Sequence, residues 1–180
     1  MDPIEIIEKF YDPTSEAYRI LVKHSRKVAE KALEIVDAHP DWDVDRRFVY
    51  ESAMLHDIGI NACHAPAIDC HGEAPYIRHG YLGAERLRAL GLHDHALVCE
   101  RHTGMGLTLE MIIANGWDLP HREMCPVSIE EQIVCFADKF FSKSGEMKEK
   151  SLEKIRKGLA KYGKDDVVKF DAWCTIFLTE

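Results

Sequence analysis

Residues 51–60, ESAMLHDIGI, contain the end of an amphipathic stretch, and a histidine and an aspartate lie at that end. From about Asp45 to Asp57 the apolar residues recur at helical spacing, and Gly59 ends the predicted helix. The inner face of this helix comprises Phe48, Val49, Ser52, Ala53 and His56. Burying a histidine or an aspartate costs several kcal/mol unless the group is paired or bound. His56 and Asp57 therefore require a partner inside the fold.

Two other predicted helices repeat this pattern of a polar residue on an apolar stripe. A helix that begins at Asp12-Pro13, with Asp12 as N-cap, and continues to Asp37 carries His24 on its apolar side. A later helix begins with the capping box Ser128-x-x-Glu131 and places Asp138 on the side formed by its apolar residues. Three separate helices are thus predicted to direct His or Asp side chains inward.

Two more histidines lie either on the apolar face of a predicted helix or directly after one. His79 is in line with the apolar residues of a helix from about Ile77 to Leu90, which ends at Gly91. His102 follows a short helix over 93–101. We expect both side chains to point toward the same interior region.

The rest of the chain is also predicted to be helical. Further helices are expected over about 108–115, 146–162 and 165–178, and residues 60–75 are expected to form a long loop. Neither an alternating strand pattern nor a domain linker is evident. The sequence therefore predicts an all-α fold, a helical bundle in a single domain over residues 1–180.

Charge and composition restrict the partners. The formal net charge is −8, and the basic segment from Lys143 to Lys164 also carries acidic residues, which is typical of a solvated helix face. We therefore expect no nucleic-acid polymer as partner. The longest apolar run has five residues, Ile133 to Ala137, so we expect no membrane insertion, and no export signal is evident. The six cysteines form no C-x-x-C pair, which favours a cytoplasmic protein with reduced thiols.

A cation is the simplest common partner for the inward polar residues. The candidate ligands are His24, His56, Asp57, His79, His102 and Asp138. Nitrogen and oxygen ligands without thiolate suit divalent Fe, Mn, Co, Ni or Zn, with Mg as a further candidate. Three of these residues also have a simpler interpretation. His24 alone would be a buried core histidine, and His79 and His102 could face substrate beside a single metal.

These residues resemble a known family. His24, the stretch His56-Asp57-Ile58-Gly59 and Ala137-Asp138-Lys139 are similar to the H…HD…D pattern of the HD-domain metal-dependent phosphohydrolase superfamily. The contexts Arg78–Ala84 and Glu100–Gly104 resemble its HDIG subgroup. The resemblance covers about residues 20–142, which would form the metal-site core, followed by C-terminal helices over about 146–178. One departure is Ile60-Asn61, where many HDIG relatives have a basic residue.

The resemblance implies a ligand set and a reaction. His24, His56, Asp57 and Asp138 would hold a first divalent ion, and Asp57 would bridge to a second ion held by His79 and His102. Divalent ions lower the pKa of bound water to about 7, and a metal-bound hydroxide would then attack the phosphorus of a small phosphoester. Lys139 and Arg101 are candidates to neutralise the phosphoryl oxygens, so the predicted catalytic residues are Asp57, Lys139 and Arg101. A nucleotide is among the candidate substrates.

Two other functions stay open at this point. HD-type sites with four His and two Asp also occur, by resemblance, in di-iron oxygenases, and a non-catalytic module could sense a ligand at the same site. The repeat Cys63-His64 and Cys70-His71 could form a structural zinc site, although its spacing is unusual, or belong to a flexible lid. The sequence leaves open the substrate, the choice between mono- and diester, the native metal and the oligomeric state.

Overall fold

Helices form most of the structure, a computed structural model that describes residues 1–178, as the sequence predicts. Within those residues the helices are α1 (Pro3–Ile7), α2 (Glu16–Ala38), α3 (Arg46–Leu55), α4 (His79–Ala89), α5 (His93–Arg101), α6 (Leu109–Asn115), α7 (Ile129–Asp138), α8 (Leu152–Leu159) and α9 (Lys164–Phe177). Two short antiparallel strands, β1 (His64–Ala65) and β2 (Cys70–His71), lie in the loop between α3 and α4, where no strand was predicted. Among the described residues, no helix has both the length and the apolar character needed to cross a membrane.

Helix α2 begins three residues later than the sequence predicts. Its N-cap is Ser15, whose hydroxyl accepts a hydrogen bond from the Tyr18 amide. Asp12 instead accepts hydrogen bonds from the amide and hydroxyl of Thr14 in the preceding turn. The buried stripe of α2 is the predicted one, and it includes Leu21, His24, Val28, Ala32 and Ile35.

The helices pack around two large apolar clusters, and α6 contributes to a smaller third one. Helices α7, α8 and α9 contribute to one large cluster, and α1 and α4 contribute to the other. Helices α2, α3 and α5 contribute to both. Helix α2 packs on α3 and α7, α4 packs on α5, and α5 packs on both α3 and α7, so all five helices adjoin one region of the interior.

Gly59 allows the turn after α3 to touch α4. A Cβ atom at this position would lie 2.2 Å from the His79 carbonyl oxygen and 2.4 Å from the Gly83 amide nitrogen. Side chains at 59 are therefore excluded by backbone on the neighbouring helix. This close approach brings Asp57 next to the first residue of α4.

The C-terminal third differs most from the prediction. The capping box at Ser128 and Glu131 opens α7, and α9 lies within a residue of its predicted bounds. Residues 146–162, however, do not form one helix. Helix α8 begins only after its N-cap Ser151, and residues 139–151 cross the structure without regular secondary structure.

Candidate metal centre

All six predicted ligands lie together in the interior. His24 lies within α2, His56 and Asp57 directly follow α3, His79 opens α4, His102 follows α5, and Asp138 ends α7. Five of these side chains are buried, and the carboxylate of Asp138 is 12% exposed. Five helices thus supply one cluster of ligands, α2 from its interior and the other four at their ends.

One group of ligand atoms forms around Asp138. The Nε2 atom of His24 lies 3.0 Å from Asp138 Oδ1 and 3.2 Å from Asp57 Oδ2. The Nε2 atom of His56 lies 3.2 Å from each of the same two oxygens. Two imidazoles and two carboxylates therefore surround one point.

A second group forms on the other side of Asp57. The Nε2 atoms of His79 and His102 are 3.1 Å apart, and they lie 3.4 and 3.2 Å from Asp57 Oδ1. Asp57 thus presents Oδ2 to the first group and Oδ1 to the second. This arrangement suits a carboxylate that bridges two ions.

Backbone carbonyls set the tautomers of three of the histidines. The Nδ1 atoms of His56, His79 and His102 lie 2.6, 2.6 and 2.7 Å from the carbonyl oxygens of residues 53, 76 and 99. Each Nδ1–H donates to its carbonyl, so a neutral ring presents the lone pair of Nε2 to the site. Local i, i+3 contacts at helix ends therefore prepare these rings as ligands.

The converging donors fit cations. Without a cation, the lone pairs of His79 and His102 would face each other at 3.1 Å, and both would also face the buried Oδ1 of Asp57, which has no hydrogen-bond donor. Ligands about 2.0–2.2 Å from one ion lie roughly 2.8–3.6 Å apart, which matches the separations in both groups. The residues therefore fit a dinuclear metal site.

Charge and burial shift the pKa values of two histidines of the site in opposite directions. Burial lowers the pKa of His56, but the carboxylates of Asp57 and Asp138 outweigh burial and raise it to about 10. At His102 burial dominates and lowers the pKa to about 4. Burial acts to raise the pKa values of Asp57 and Asp138, but neighbouring cations, chiefly His56 and Lys139 or Lys143, hold both well below the usual range. Both carboxylates are therefore ionised at neutral pH.

The two predicted catalytic cations occupy different places. Lys139 Nζ donates to Asp138 Oδ2 and to the His102 carbonyl, each at 2.9 Å, and lines the cavity beside the site. Arg101 binds both carboxylate oxygens of Glu131 at 2.9–3.0 Å and does not line that cavity. Successive helical residues point about 100° apart, so the neighbour of His102 faces α7 instead of the site. The structure thus brings Lys139, but not Arg101, to the cavity where both were expected to neutralise phosphoryl oxygens.

A lysine that the sequence analysis did not single out contacts the bridging carboxylate. Lys143 lies in the irregular segment after α7, and its Nζ atom is 2.9 Å from Asp57 Oδ2. Tyr76 stacks on His79 with 4.4 Å between ring centroids, and the Lys143 ammonium lies over the Tyr76 ring. Because this segment shows no helical periodicity, the sequence does not indicate that Lys143 faces the site.

A cavity of about 250 Å³ opens beside the metal centre. Its lining comprises Tyr76, His79, His102, Thr103, Gly104, Asp138, Lys139, Phe141, Ser142, Lys143, Lys150, Lys154, Ile155, Gly158, Leu159, Lys161 and Tyr162. The segment 143–164, interpreted from sequence as a solvated face, therefore supplies much of the wall. That interpretation is wrong for Lys143 and Lys150, which are partly buried, whereas Lys154 and Lys161 are exposed, as it predicts.

The Cys-His repeat stands apart from the centre. His64 and His71 are exposed and opposite each other across β1 and β2, while Cys63 and Cys70 are buried. Within residues 1–178, the groups of three or more potential metal ligands are the two described above, and neither includes this repeat. A structural zinc site here gains no support.

Comparisons with known proteins agree with this geometry. The HD domain family matches residues 21–142, which contain all six ligands. The uncharacterized protein MJ0778 of Methanocaldococcus jannaschii is 38% identical over 121 residues, 66% of this chain and 64% of that protein. The tRNA (cytidine(56)-2'-O)-methyltransferases of Picrophilus torridus and Thermoplasma volcanium are 34% and 29% identical, covering 68% and 83% of this chain. The chain spans only 32% and 39% of their lengths.

A solved structure has the same fold. The HD domain of the Listeria monocytogenes phosphodiesterase PgpH superposes with a TM-score of 0.56 at 16% identity, covering 93% of this chain and 85% of that one. This likeness concerns the fold alone. The narrower HDIG assignment stays a prediction. The matched residues and the shared fold show that the chain belongs to the HD domain family.

Proposed function

We propose that the protein is a metal-dependent phosphohydrolase that cleaves a small phosphoester. The observation that carries this proposal is the position of Asp57, whose two oxygens face separate groups of imidazoles beside a lysine-lined cavity. Two cations that share a carboxylate are typical of sites that transfer phosphoryl groups. A cationic wall beside them suits an anionic substrate.

The ligands leave the centre positively charged. Two divalent ions would lower the pKa of bound water and stabilise the charge that develops on the phosphoryl oxygens. Asp57 and Asp138 supply only two negative charges against about four positive ones. The centre would therefore attract a phosphate group although the net charge of the chain is −8.

Lys139 and Lys143 are the candidate cations for the phosphoryl oxygens. Their side chains are only 10% and 17% exposed and line the cavity. In a site with little water, a fixed ammonium group stabilises developing negative charge more than it does in bulk solvent. Lys139 is also a positioning residue, because it binds both the ligand Asp138 and the backbone of the ligand His102.

Asn61 takes no part in this proposal. Its side-chain amide donates to the Phe10 carbonyl, and its side-chain oxygen accepts from Arg86. Both groups are thus used inside the fold, at the position where many HDIG relatives have a basic residue. We assign no phosphate contact there.

The proposed partner is a small phosphorylated molecule, a nucleotide among them, and not a nucleic-acid polymer or a membrane. The methyltransferases named above extend well beyond the part that matches this chain, which is 32% and 39% of their lengths. We propose hydrolysis and not methyl transfer for this chain, because the two groups of ligands lie within residues 21–142, which match the HD domain family.

A substrate screen with defined metals tests the proposal. Protein stripped of metal and reloaded with Mn, Fe, Co, Ni, Zn or Mg is assayed against phosphomonoesters and phosphodiesters, including nucleotides. We expect hydrolysis that requires the added ion and is abolished in Asp57→Asn. Failure with every ion, together with O₂ consumption by a reduced di-iron form, would refute the hydrolase and favour the oxygenase.

A further inference from the structure

The cavity beside the centre is unusually rich in lysine. Five lysines line it: Lys139, Lys143, Lys150, Lys154 and Lys161. Asp138 is the one carboxylate-bearing residue among the lining side chains of the described chain. In a chain with net charge −8, this local excess of positive charge is opposite to the average. A single scissile phosphate does not need five ammonium groups.

These lysines form an inner and an outer set. Lys139 and Lys143 lie 2.9 Å from carboxylate oxygens of metal ligands. The outer set comprises Lys150, which is partly buried, and the exposed Lys154 and Lys161, and within residues 1–178 none of the three has an acidic partner within 4.0 Å. The outer set therefore lacks the counter-charge that the inner set has.

Neighbouring lysines outside the cavity are paired in the usual way. Lys148 lies 2.7 Å from Glu146, and Lys157 lies 3.4 Å from Glu153, both at exposed positions. The acidic residues of this segment thus pair with lysines that do not line the cavity, Glu149 with Lys31 of α2 among them. Half-burial and the positive charges of Lys139 and Lys154 lower the pKa of Lys150, while Asp138 opposes them. An anion bound near Lys150 would relieve this repulsion.

An apolar wall accompanies the outer lysines. Phe141, Ile155, Leu159 and Tyr162 line the same cavity. Helix α8 carries both Lys154 and Ile155, so charge and apolar surface arise from one element. A ligand that uses both would have an organic body as well as anionic groups.

We propose that Lys150, Lys154 and Lys161 bind a second phosphate-type group of the substrate, while its first phosphate lies at the metal centre. The substrate class is thus a small organic molecule that carries two separate phosphate groups. The assignment of the first phosphate rests on the proposed function. The assignment of the second rests on the lysines alone.

Calorimetric titration with two matched, non-hydrolysable probes tests this inference. Propane-1-phosphonate has one anionic group, and propane-1,3-diphosphonate has two on the same carbon chain. We expect the metal-loaded protein to bind the diphosphonate about 10- to 100-fold more tightly, the range of one charge-assisted contact. In the double variant Lys150→Ala/Lys154→Ala this advantage should fall below about threefold. Monophosphonate binding should stay unchanged.

The matched control is Lys148→Ala/Lys157→Ala, which removes the same charge from exposed positions in the same segment. Equal loss of the diphosphonate advantage in this control would overturn the inference, since net charge and not the cavity would be responsible. No advantage in the wild-type protein would overturn it as well. Circular dichroism verifies that the variants fold.

A parallel titration of metal-stripped protein separates the two proposals. If the metal centre is misassigned, removal of metal leaves the binding of both probes unchanged, while the effect of Lys150 and Lys154 persists. If the lysine inference is wrong, binding depends on metal but not on these lysines.

Discussion

Replacing Asp57 by Asn should affect both metal positions at once. Asp57 Oδ2 lies 3.2 Å from the Nε2 atoms of His24 and His56, and Oδ1 lies 3.2 Å from that of His102. The amide has nearly the same shape but no negative charge. The first group would keep Asp138 and two imidazoles, whereas the second would keep two neutral imidazoles and no carboxylate.

The magnitude follows from this difference. Removing one charged partner from a buried pair costs about 3–5 kcal/mol, which corresponds to roughly two to four orders of magnitude in affinity. We expect Asp57→Asn to lose the second ion below detection at micromolar metal and to bind the first at least about 100-fold more weakly. Competition with a chromophoric chelator gives both constants, and plasma emission spectrometry gives the metal content.

Asp138→Asn is the matched comparison. Asp138 contacts the first group through Oδ1, so this variant should weaken the first ion and leave the second within about tenfold. The account would be refuted if Asp57→Asn and Asp138→Asn lost the same ion to the same extent, or if folded Asp57→Asn retained both ions at unchanged affinity.

Three further outcomes are expected. His102→Ala should release the second ion and retain the first, whereas His24→Ala should do the reverse; metal content of folded protein after dialysis decides this. In metal-stripped protein the folded-state pKa of His56 is about 10, above the ordinary 6.5. Protonated His56 therefore makes its full contribution to the free energy of unfolding below pH 6.5, and this contribution is lost as the pH rises toward 10. Urea unfolding should show this loss between pH 7 and 9.5, and loaded protein, in which His56 is a neutral ligand, should not show it. Arg101→Met should lower the free energy of unfolding by about 1–3 kcal/mol, because buried Glu131 loses its cationic partner and keeps only backbone donors, yet leave kcat/KM within about twofold of wild type; a loss above tenfold with an intact fold would restore a catalytic role for Arg101.

Helical phase accounts for the part of the site that sequence could predict. His24 lies inside α2, and His56 and Asp138 lie at the ends of α3 and α7, in each case in phase with the apolar residues, so periodicity predicts the inward direction. His79 is also in phase with its helix, whereas His102 was expected inside the fold because it follows a short helix. The capping box at Ser128 likewise specified the start of α7 by local hydrogen bonds.

The remaining parts depend on tertiary contacts that leave no periodic pattern. The five-residue helix α1 is too short to show one. Residues 139–151 are irregular, so the approach of Lys143 to Asp57 is set by how the chain crosses the site. For Arg101, adjacency to a ligand was a poor guide because a helix turns its neighbours to different sides. Mixed charge over 143–164 concealed which lysines face the cavity.

Anomalous diffraction from crystals of metal-loaded protein tests the central claim most directly, since it locates the ions without relying on activity. The account predicts two anomalous peaks about 3.5–4 Å apart, one beside each carboxylate oxygen of Asp57. His24, His56 and Asp138 should complete the first coordination sphere, with His79 and His102 in the second. A single peak held by His24, His56, Asp57 and Asp138 alone, or peaks away from Asp57, would contradict a dinuclear centre.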